Sequence, residues 1–463
     1  MPAIITKDFR VHNAEQFKES FGEAADTYYL AIGRPQAFAD NQAFNDGTDA
    51  SPPTPVDDVG QVEYYAYDDF LAAKKIASTD VSIVIPRRNW TTGTVYDYYR
   101  HDYGDINTAG STIATDSGAT SLYDATFYVM NSSFDVYKVI DNNSGGASTV
   151  EPSGNKSTSV FTTGDSYRWK YMYSLSASEQ ANFLSTDFMH VSTESTDYST
   201  TAGAIEHVKI TAGGSGGTNG TYSDVTIRGD GSGGTATVVV SGNAVSSVTI
   251  TAAGSGYTFA SLKASEIGDV SGADIDFIIS PPGGHASDVV TELGGFFVMT
   301  NVDLTQADGS GDFSTGNDFR RIALLRNPTD STTGSTASAT TLDATKSITF
   351  SGTPGSFQAD EKITQATTGA VGFVVDFNSS TKVLRYIQPQ FADQGIDADG
   401  TLTAFSSTHT VTGATSSATG TPSSHDTTPE LTHDSGDILY IENRKPISRA
   451  SDQTENVKLI VEF

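Results

Sequence analysis

The pattern of hydrophobic and polar positions along the chain is mostly a strand pattern. Over residues 167–173 the chain alternates. Tyr167, Trp169, Tyr171 and Tyr173 fall on one face, and Arg168, Lys170 and Met172 on the other. Residues 81–85 form an apolar, β-branched run that stops at Pro86. The closing residues alternate again, with Val457, Leu459, Val461 and Phe463 on one face, which predicts a strand that fixes the C-terminus in a sheet. Helical periodicity is short and rare. Asn13 is placed to cap a helix through Ala14, Phe17, Lys18 and Phe21, with Gly22 as its stop. A second helix is predicted over 68–76, acidic at its start and ending in Lys74 and Lys75, and a third over 176–184.

Two stretches differ from the rest. Residues 205–280 hold an internal repeat: VKITAGGSGG begins at Val208 and VTITAAGSGY at Val248, a period of 40 residues. Between the two copies, TATVVVSGNAVSSV reads as two strands joined by a Gly242-Asn243 turn. Residues 330–430 have Ser/Thr/Gly/Ala-rich flanks around strand-like pieces at 347–350, 370–376 and 382–387. Each stretch predicts a compact β module.

Composition narrows the function classes. The 463 residues include no cysteine, so a disulfide scaffold, a thiolate metal site and a cysteine nucleophile are all excluded. A net charge of −29 opposes phosphate backbones, so no nucleic-acid partner is expected. No apolar run approaches the roughly 18 residues that span a bilayer, and MPAIITKDFRVHN offers no secretion signal, so no membrane insertion is expected. Aromatic residues at 10%, with many Val, Ile and Thr, favour an ordered, mainly β protein over a disordered one.

The search for reactive chemistry is mostly negative. There is no Gly-Lys phosphate loop and no His-Glu-x-x-His. Gly213-Gly214-Ser215-Gly216-Gly217 matches a serine elbow in letters, but strand-forming sequence follows where a helix is required. Glycines 229, 231, 233 and 234 lack the helix a dinucleotide loop needs. His425 and His433 have no evident third ligand and read as solvated loop histidines. Asp308 and Asp312 lack the ligand spacing of a calcium loop. No metal, no cofactor and no catalytic residue is expected.

Two local features stand out. Arg87, Arg88 and Trp90 follow a strand directly. They read either as an interface anchor, or as two internal ion pairs beside a core tryptophan. The aromatic face that includes Tyr167 and Trp169 reads either as a sugar-stacking platform or, more in keeping with alternating aromatic strands, as the inner face of a sandwich sheet.

Several stretches together resemble the T-even-type phage baseplate wedge subunit, the gene-eight product family. Residues 4–10, IITKDFR, are similar to the family's opening strand, and Ile32-Gly33-Arg34-Pro35 to its Gly-Arg turn. Residues 85–90 resemble an Ile-Pro-Arg-Arg-acidic-Trp motif, with Asn89 in place of the acid. Residues 164–171 resemble an Asp-Gly-Tyr-x-Trp-x-Tyr strand, and Phe319-Arg320-Arg321-Ile322 with Arg326-Asn327-Pro328 a Phe-Arg-x-Ile…Asn-Pro strand. Near the end stand Tyr440-Ile441-Glu442-Asn443-Arg444-Lys445-Pro446-Ile447 and then Asp452-Gln453-Thr454-Glu455. Each motif alone is weak, but six in order are fairly specific.

The resemblance covers roughly half to two-thirds of the chain and skips the two odd stretches. It therefore implies a discontinuous body, 1–204 with 281–330 and 431–463, carrying inserted β modules at 206–280 and 331–430. It also implies a layered β-sandwich with short helices in its loops, a homodimer, and a place in a contractile tail's baseplate wedge against gene-six, gene-seven and gene-ten type proteins. No catalysis belongs to that role. Arg87, Arg88, Trp90, Tyr167, Trp169, Glu442, Asn443, Arg444, Asp452 and Gln453 become candidate interface or structural positions. The alternative is a host-surface adhesin or decoration protein whose inserted modules bind glycans.

Overall fold

The computed structural model describes residues 4–38, 47–56, 61–103, 117–191, 198–304, 316–389, 395, 401–448 and 455–463. Strands dominate, with several antiparallel sheets and few short helices. By its contacts the chain divides into two units. One comprises Met1–Gln16, Ser82–Met299 and Ile460–Phe463; the other comprises Phe17–Val81 and Thr300–Leu459.

The second unit holds a five-stranded antiparallel sheet. Its order is Thr341–Asp343, Phe70–Ile76, Tyr28–Gly33, Phe319–Arg326, Asp437–Ile447. Tyr28–Gly33 is buried along its whole length and pairs in register from Tyr28↔Arg326 to Gly33↔Arg321. Phe70–Ile76 corrects the helix predicted over 68–76. Alanine and lysine favour a helix in isolation, but a neighbouring strand binds each edge here, and packing overrides propensity. The helical signal belongs instead to Gln61–Ala66, just upstream. Gly33 ends its strand against Asp69. A Cβ there would lie 2.7 Å from the Asp69 carbonyl oxygen, which only glycine tolerates. Tyr29, Phe70, Ala323, Leu325 and Leu342 build the core of this sheet.

The same unit carries a seven-stranded antiparallel sheet formed within residues 346–426. Its buried cluster includes Ile348, Phe350, Val374, Leu384, Tyr386 and Phe405, all within that stretch. His425 lies on the exposed strand Pro422–Asp426 and not in a loop. His433 Nε2 donates to Asp68 Oδ1 at 2.9 Å, and His425 has no part in that contact.

The helix Lys7–Ser20, whose residues 7–16 fall in the first unit and 17–20 in the second, begins six residues before the cap predicted at Asn13 and replaces the opening strand expected over residues 4–10. Thr6 supplies the start: its hydroxyl and carbonyl accept the Phe9 and Arg10 N–H groups. The helix predicted over 176–184 forms as Ala177–Phe183 and is closed by a capping box. Ser176 Oγ accepts the Glu179 N–H, and the Glu179 carboxylate accepts the Ser176 N–H.

A four-stranded sheet of the first unit runs Tyr128–Met130, Asp135–Asp141, Arg168–Ser174, Phe161–Thr162. Both of its faces are covered. Val129, Tyr137, Val139, Tyr167, Trp169 and Tyr171 pack on one side, and Tyr128, Met130, Val136, Ile140, Met172 and Tyr173 on the other. Tyr173 departs from the alternation read in the sequence. Val136 pairs Tyr173 and Tyr137 pairs Tyr171, so Met172 is an extra residue in a β-bulge that turns Tyr173 to the opposite face.

The 40-residue repeat is also a structural repeat. The strand Ile205–Ser215 pairs Ser271–Ile279, and the strand Ala244–Ser255 pairs Ser232–Ser241. In the first pair Gly213 opposes Ala273, Ala212 opposes Asp274 and Ile210 opposes Ile275, so Thr211 is bulged. In the second pair Ala253 opposes Gly234, Ala252 opposes Thr235 and Ile250 opposes Ala236, so Thr251 is bulged at the equivalent position. Gly214 and Gly254 sit at φ +72° and +62°, and Gly216 and Gly256 at +76° and +74°. The two glycines common to both copies thus occupy left-handed positions that a side chain would strain. Gly242 and Asn243, both at φ +64°, make the predicted turn. Two buried clusters close this stretch from within, one around Ile205, Ile227, Tyr257 and Phe277, the other around Val225, Val238, Val245 and Val270.

Candidate functional site

The segment after the strand Val81–Pro86 is tied down by backbone carbonyls. Arg87 Nη1 donates to the Ser185 carbonyl at 2.7 Å and its Nε to Asn89 Oδ1 at 3.0 Å. Arg88 Nη2 donates to the Tyr123 carbonyl at 2.8 Å, and its guanidinium lies 4.4 Å from the Tyr128 ring centre. Among the described residues neither arginine makes an ion pair, so the ion-pair reading is corrected. Trp90 is half-buried, donates to Ser148 Oγ at 3.0 Å, and packs on the core that holds Tyr167 and Trp169.

Tyr167 and Trp169 are fully buried, their rings stacked at 5.4 Å and 22°. The Tyr167 hydroxyl donates to the Gly146 carbonyl at 2.6 Å, and Trp169 Nε1 to Thr163 Oγ1 at 3.0 Å. Neither ring has a face free to stack on a sugar. Three of the candidate residues, Trp90, Tyr167 and Trp169, therefore meet in one core.

Glu442, Asn443 and Arg444 lie on Asp437–Ile447, the edge strand of the five-stranded sheet. Asn443 is held on both sides: its Oδ1 accepts Arg321 Nε at 3.0 Å, and its Nδ2 donates to the Pro53 carbonyl at 3.0 Å. Arg321 in turn pairs with the buried Asp69 at 2.8 Å. Arg444 is exposed, 3.4 Å from Glu442 across the strand surface. Pro52 and residues 442–447 line a shallow cleft of about 410 Å³. Asp452 and Gln453, like Asp308 and Asp312, fall outside the described residues.

One cluster was not read from the sequence. Lys138 and Lys170 are both fully buried and directly opposite each other on paired strands. Like charges in that register repel, so each needs its own compensation. Lys138 Nζ pairs with Glu292, and Lys170 Nζ donates to the Tyr171 and Ser157 carbonyls at 2.8 and 3.1 Å. Glu292 also accepts from the Ala286 N–H at 2.7 Å and meets His285 Nδ1 at 2.8 Å. Burial would raise the Glu292 carboxyl, but the Lys138 ammonium and His285 outweigh it and hold it at about 2. Burial, with Lys138 nearby, holds His285 at about 4, and burial lowers Lys170 to about 8. A lysine inside the alternation DVYKVID was the available signal, since it faces the same side as Val136 and Ile140.

Among the described residues, no three His, Asp or Glu side chains group as a metal site, and no helix is long and apolar enough to cross a membrane. By fold the chain is a β-rich protein whose most distinctive side chains pack and brace strands. The family model for Phage-Gp8, described as Bacteriophage T4, Gp8, matches residues 3–145. This match supports the T4-type baseplate wedge gene-eight family, whose members are structural components of the phage tail baseplate. No curated protein matches the chain.

Proposed function

We propose that the chain is a structural subunit of the baseplate wedge in a contractile phage tail, acting through protein–protein contacts in assembly and in rearrangement at host contact. The observation that carries this reading is the family match over residues 3–145. It acts without a reaction of its own, as a homodimer, against gene-six, gene-seven and gene-ten type wedge proteins. Ordered assembly followed by rearrangement calls for specific interfaces that can exchange partners.

The edge strand Asp437–Ile447 supports a docking role. Its outer backbone groups pair with no strand among the described residues, and it carries the half-buried Glu442 and the exposed Arg444. Arg87, Arg88, Trp90, Tyr167 and Trp169 shape the body instead, because each hydrogen-bonds an internal partner. We also propose that 206–280 and 331–430 are modules inserted into a body of 1–204, 281–330 and 431–463. The locally closed cores within 205–279 and 348–418 support this division, and the family match ends before either. Light scattering on the purified chain should give a dimer, and co-expression with the other wedge proteins a stable complex. A monomer that ignores every wedge protein contradicts the proposal.

A further inference from the structure

Beside the buried cluster, the first unit holds a cavity of about 800 Å³ with Tyr99, Leu122, Tyr123, Tyr257, Pro281 and Pro282 in its wall. That is the size range of small-molecule sites, and the mixture of apolar wall and few polar groups is typical of them. Gly284, at φ +92°, turns the chain after the two prolines; a Cβ there would lie 2.0 Å from the Thr200 carbonyl oxygen.

Carboxylates and cations reach the wall, but each is already satisfied from within the protein. Lys7 pairs with Asp8. Arg100 bridges Asp102 and Asp276 at 2.8 Å each. Asp288 Oδ1 accepts the Thr291 N–H at 3.0 Å, and Glu292 is neutralised by Lys138. Two polar side chains of the wall, the exposed His101 and the buried Tyr99, make no hydrogen bond among the described residues. Tyr99 is 4% exposed, lines the cavity, and its hydroxyl has no hydrogen-bond partner among the described residues. Burial raises its phenol well above the ordinary range, so it stays an O–H donor. The hydroxyl is not sealed in, so a ligand or water that enters the cavity can complete it.

We infer that this cavity binds a neutral polyhydroxyl ligand of mono- or disaccharide size, with the Tyr99 hydroxyl as its polar anchor and the tyrosine and proline walls against its apolar faces. An anion is disfavoured because the wall carries three carboxylates, Asp8, Asp288 and Glu292, against two cations, Lys7 and Arg100. The ligand's hydroxyls can donate as well as accept, which suits a wall carrying unpartnered polar groups and several carboxylate oxygens. Nothing in this site depends on assembly into a baseplate.

Saturation-transfer NMR with maltose, lactose and N,N′-diacetylchitobiose at millimolar concentration tests the site on the full chain. At least one disaccharide should receive saturation. Tyr99→Phe, which removes only the hydroxyl, should weaken its binding by about tenfold. Leu122→Trp, which fills the cavity, should abolish it, with circular dichroism confirming that both variants fold. Inorganic phosphate and spermine should not displace the sugar. Saturation of none of the three disaccharides overturns the inference, as do binding unchanged in Tyr99→Phe and displacement by phosphate or spermine.

Discussion

The strands Arg168–Ser174 and Asp437–Ile447 both carry motifs distinctive in sequence, and the fold uses them in opposite ways. In Arg168–Ser174 every residue from Trp169 to Tyr173 is buried, and the sheet is covered on both faces. Asp437–Ile447 lies at a sheet edge with none of its residues buried. The first is rich in aromatic rings and contains a lysine with no water to hold it. The second mixes Glu442, Arg444 and Lys445 with a proline that cannot extend a ladder. A distinctive motif therefore marks a demanding position without saying whether the demand comes from the interior or from a partner. Substitutions should separate the two: changes in the first strand and its supports should cost stability, and changes at the edge should cost assembly.

The largest effect belongs to Glu292→Ala. It leaves Lys138 charged and buried without its partner, which costs about 3–5 kcal/mol. Both tryptophans of the chain, Trp90 and Trp169, lie in the first unit, so intrinsic emission during urea unfolding reports that unit's loss directly. Joint replacement Lys138→Met with Glu292→Leu should recover most of the loss, because no lone charge remains. A double variant as unstable as the single one would contradict the charge argument.

Trp169→Ala should come next, at about 3–5 kcal/mol for a fully buried indole stacked on Tyr167. Trp90 emission still reports the transition. The cavity left behind should show as a lower urea midpoint with little change in slope.

Acid should weaken the first unit by a smaller, graded amount. Burial lowers His285 from 6.5 to about 4, so the unfolded chain takes that proton first, and stability falls as pH drops from about 6.5 through 4. Glu292, held at about 2 against an ordinary 4.5, adds a loss as pH falls below 4.5 toward 2. The two are coupled, and together they account for on the order of 3 kcal/mol. Lys170, lowered from 10.5 to about 8, acts at the other end: stability contributed by this group rises with pH between those values. Unfolding midpoints measured from pH 3 to 10, with Lys170→Met as the control for the alkaline arm, check both signs.

The smallest stability effect is expected from Arg444→Glu, within about 0.5 kcal/mol, because an exposed pair contributes little. The same change should reduce recovery of the wedge complex on co-purification. Full recovery would remove Arg444 from the proposed interface.

Much of the fold was legible where local chemistry decides it. The helix after Ser176 and the Gly242-Asn243 turn follow from residues a few positions apart, and the 40-residue repeat is visible in its letters. The repeat even fixes its own bulges, since the same glycines recur at the same left-handed positions. What distant residues decide was not legible. Residues 70–76 form a strand because 28–33 and 341–343 flank them. Tyr173 changes face through a bulge that no alternation rule foresees. Lys138 stays inside because Glu292, 154 residues away, meets it there. The candidate positions divided likewise: Tyr167 and Trp169 were readable as an inner face, whereas the edge location of Glu442 and Arg444 depends on which strand pairs beside them.

The measurement that bears most directly on the account is a reconstruction of the intact tail with this chain traced. The chain should lie in the baseplate wedge, with Asp437–Ile447 against another subunit and Trp169 inside its own fold. Density for the chain elsewhere in the particle, or an Asp437–Ile447 edge facing open solvent in every copy, would contradict it.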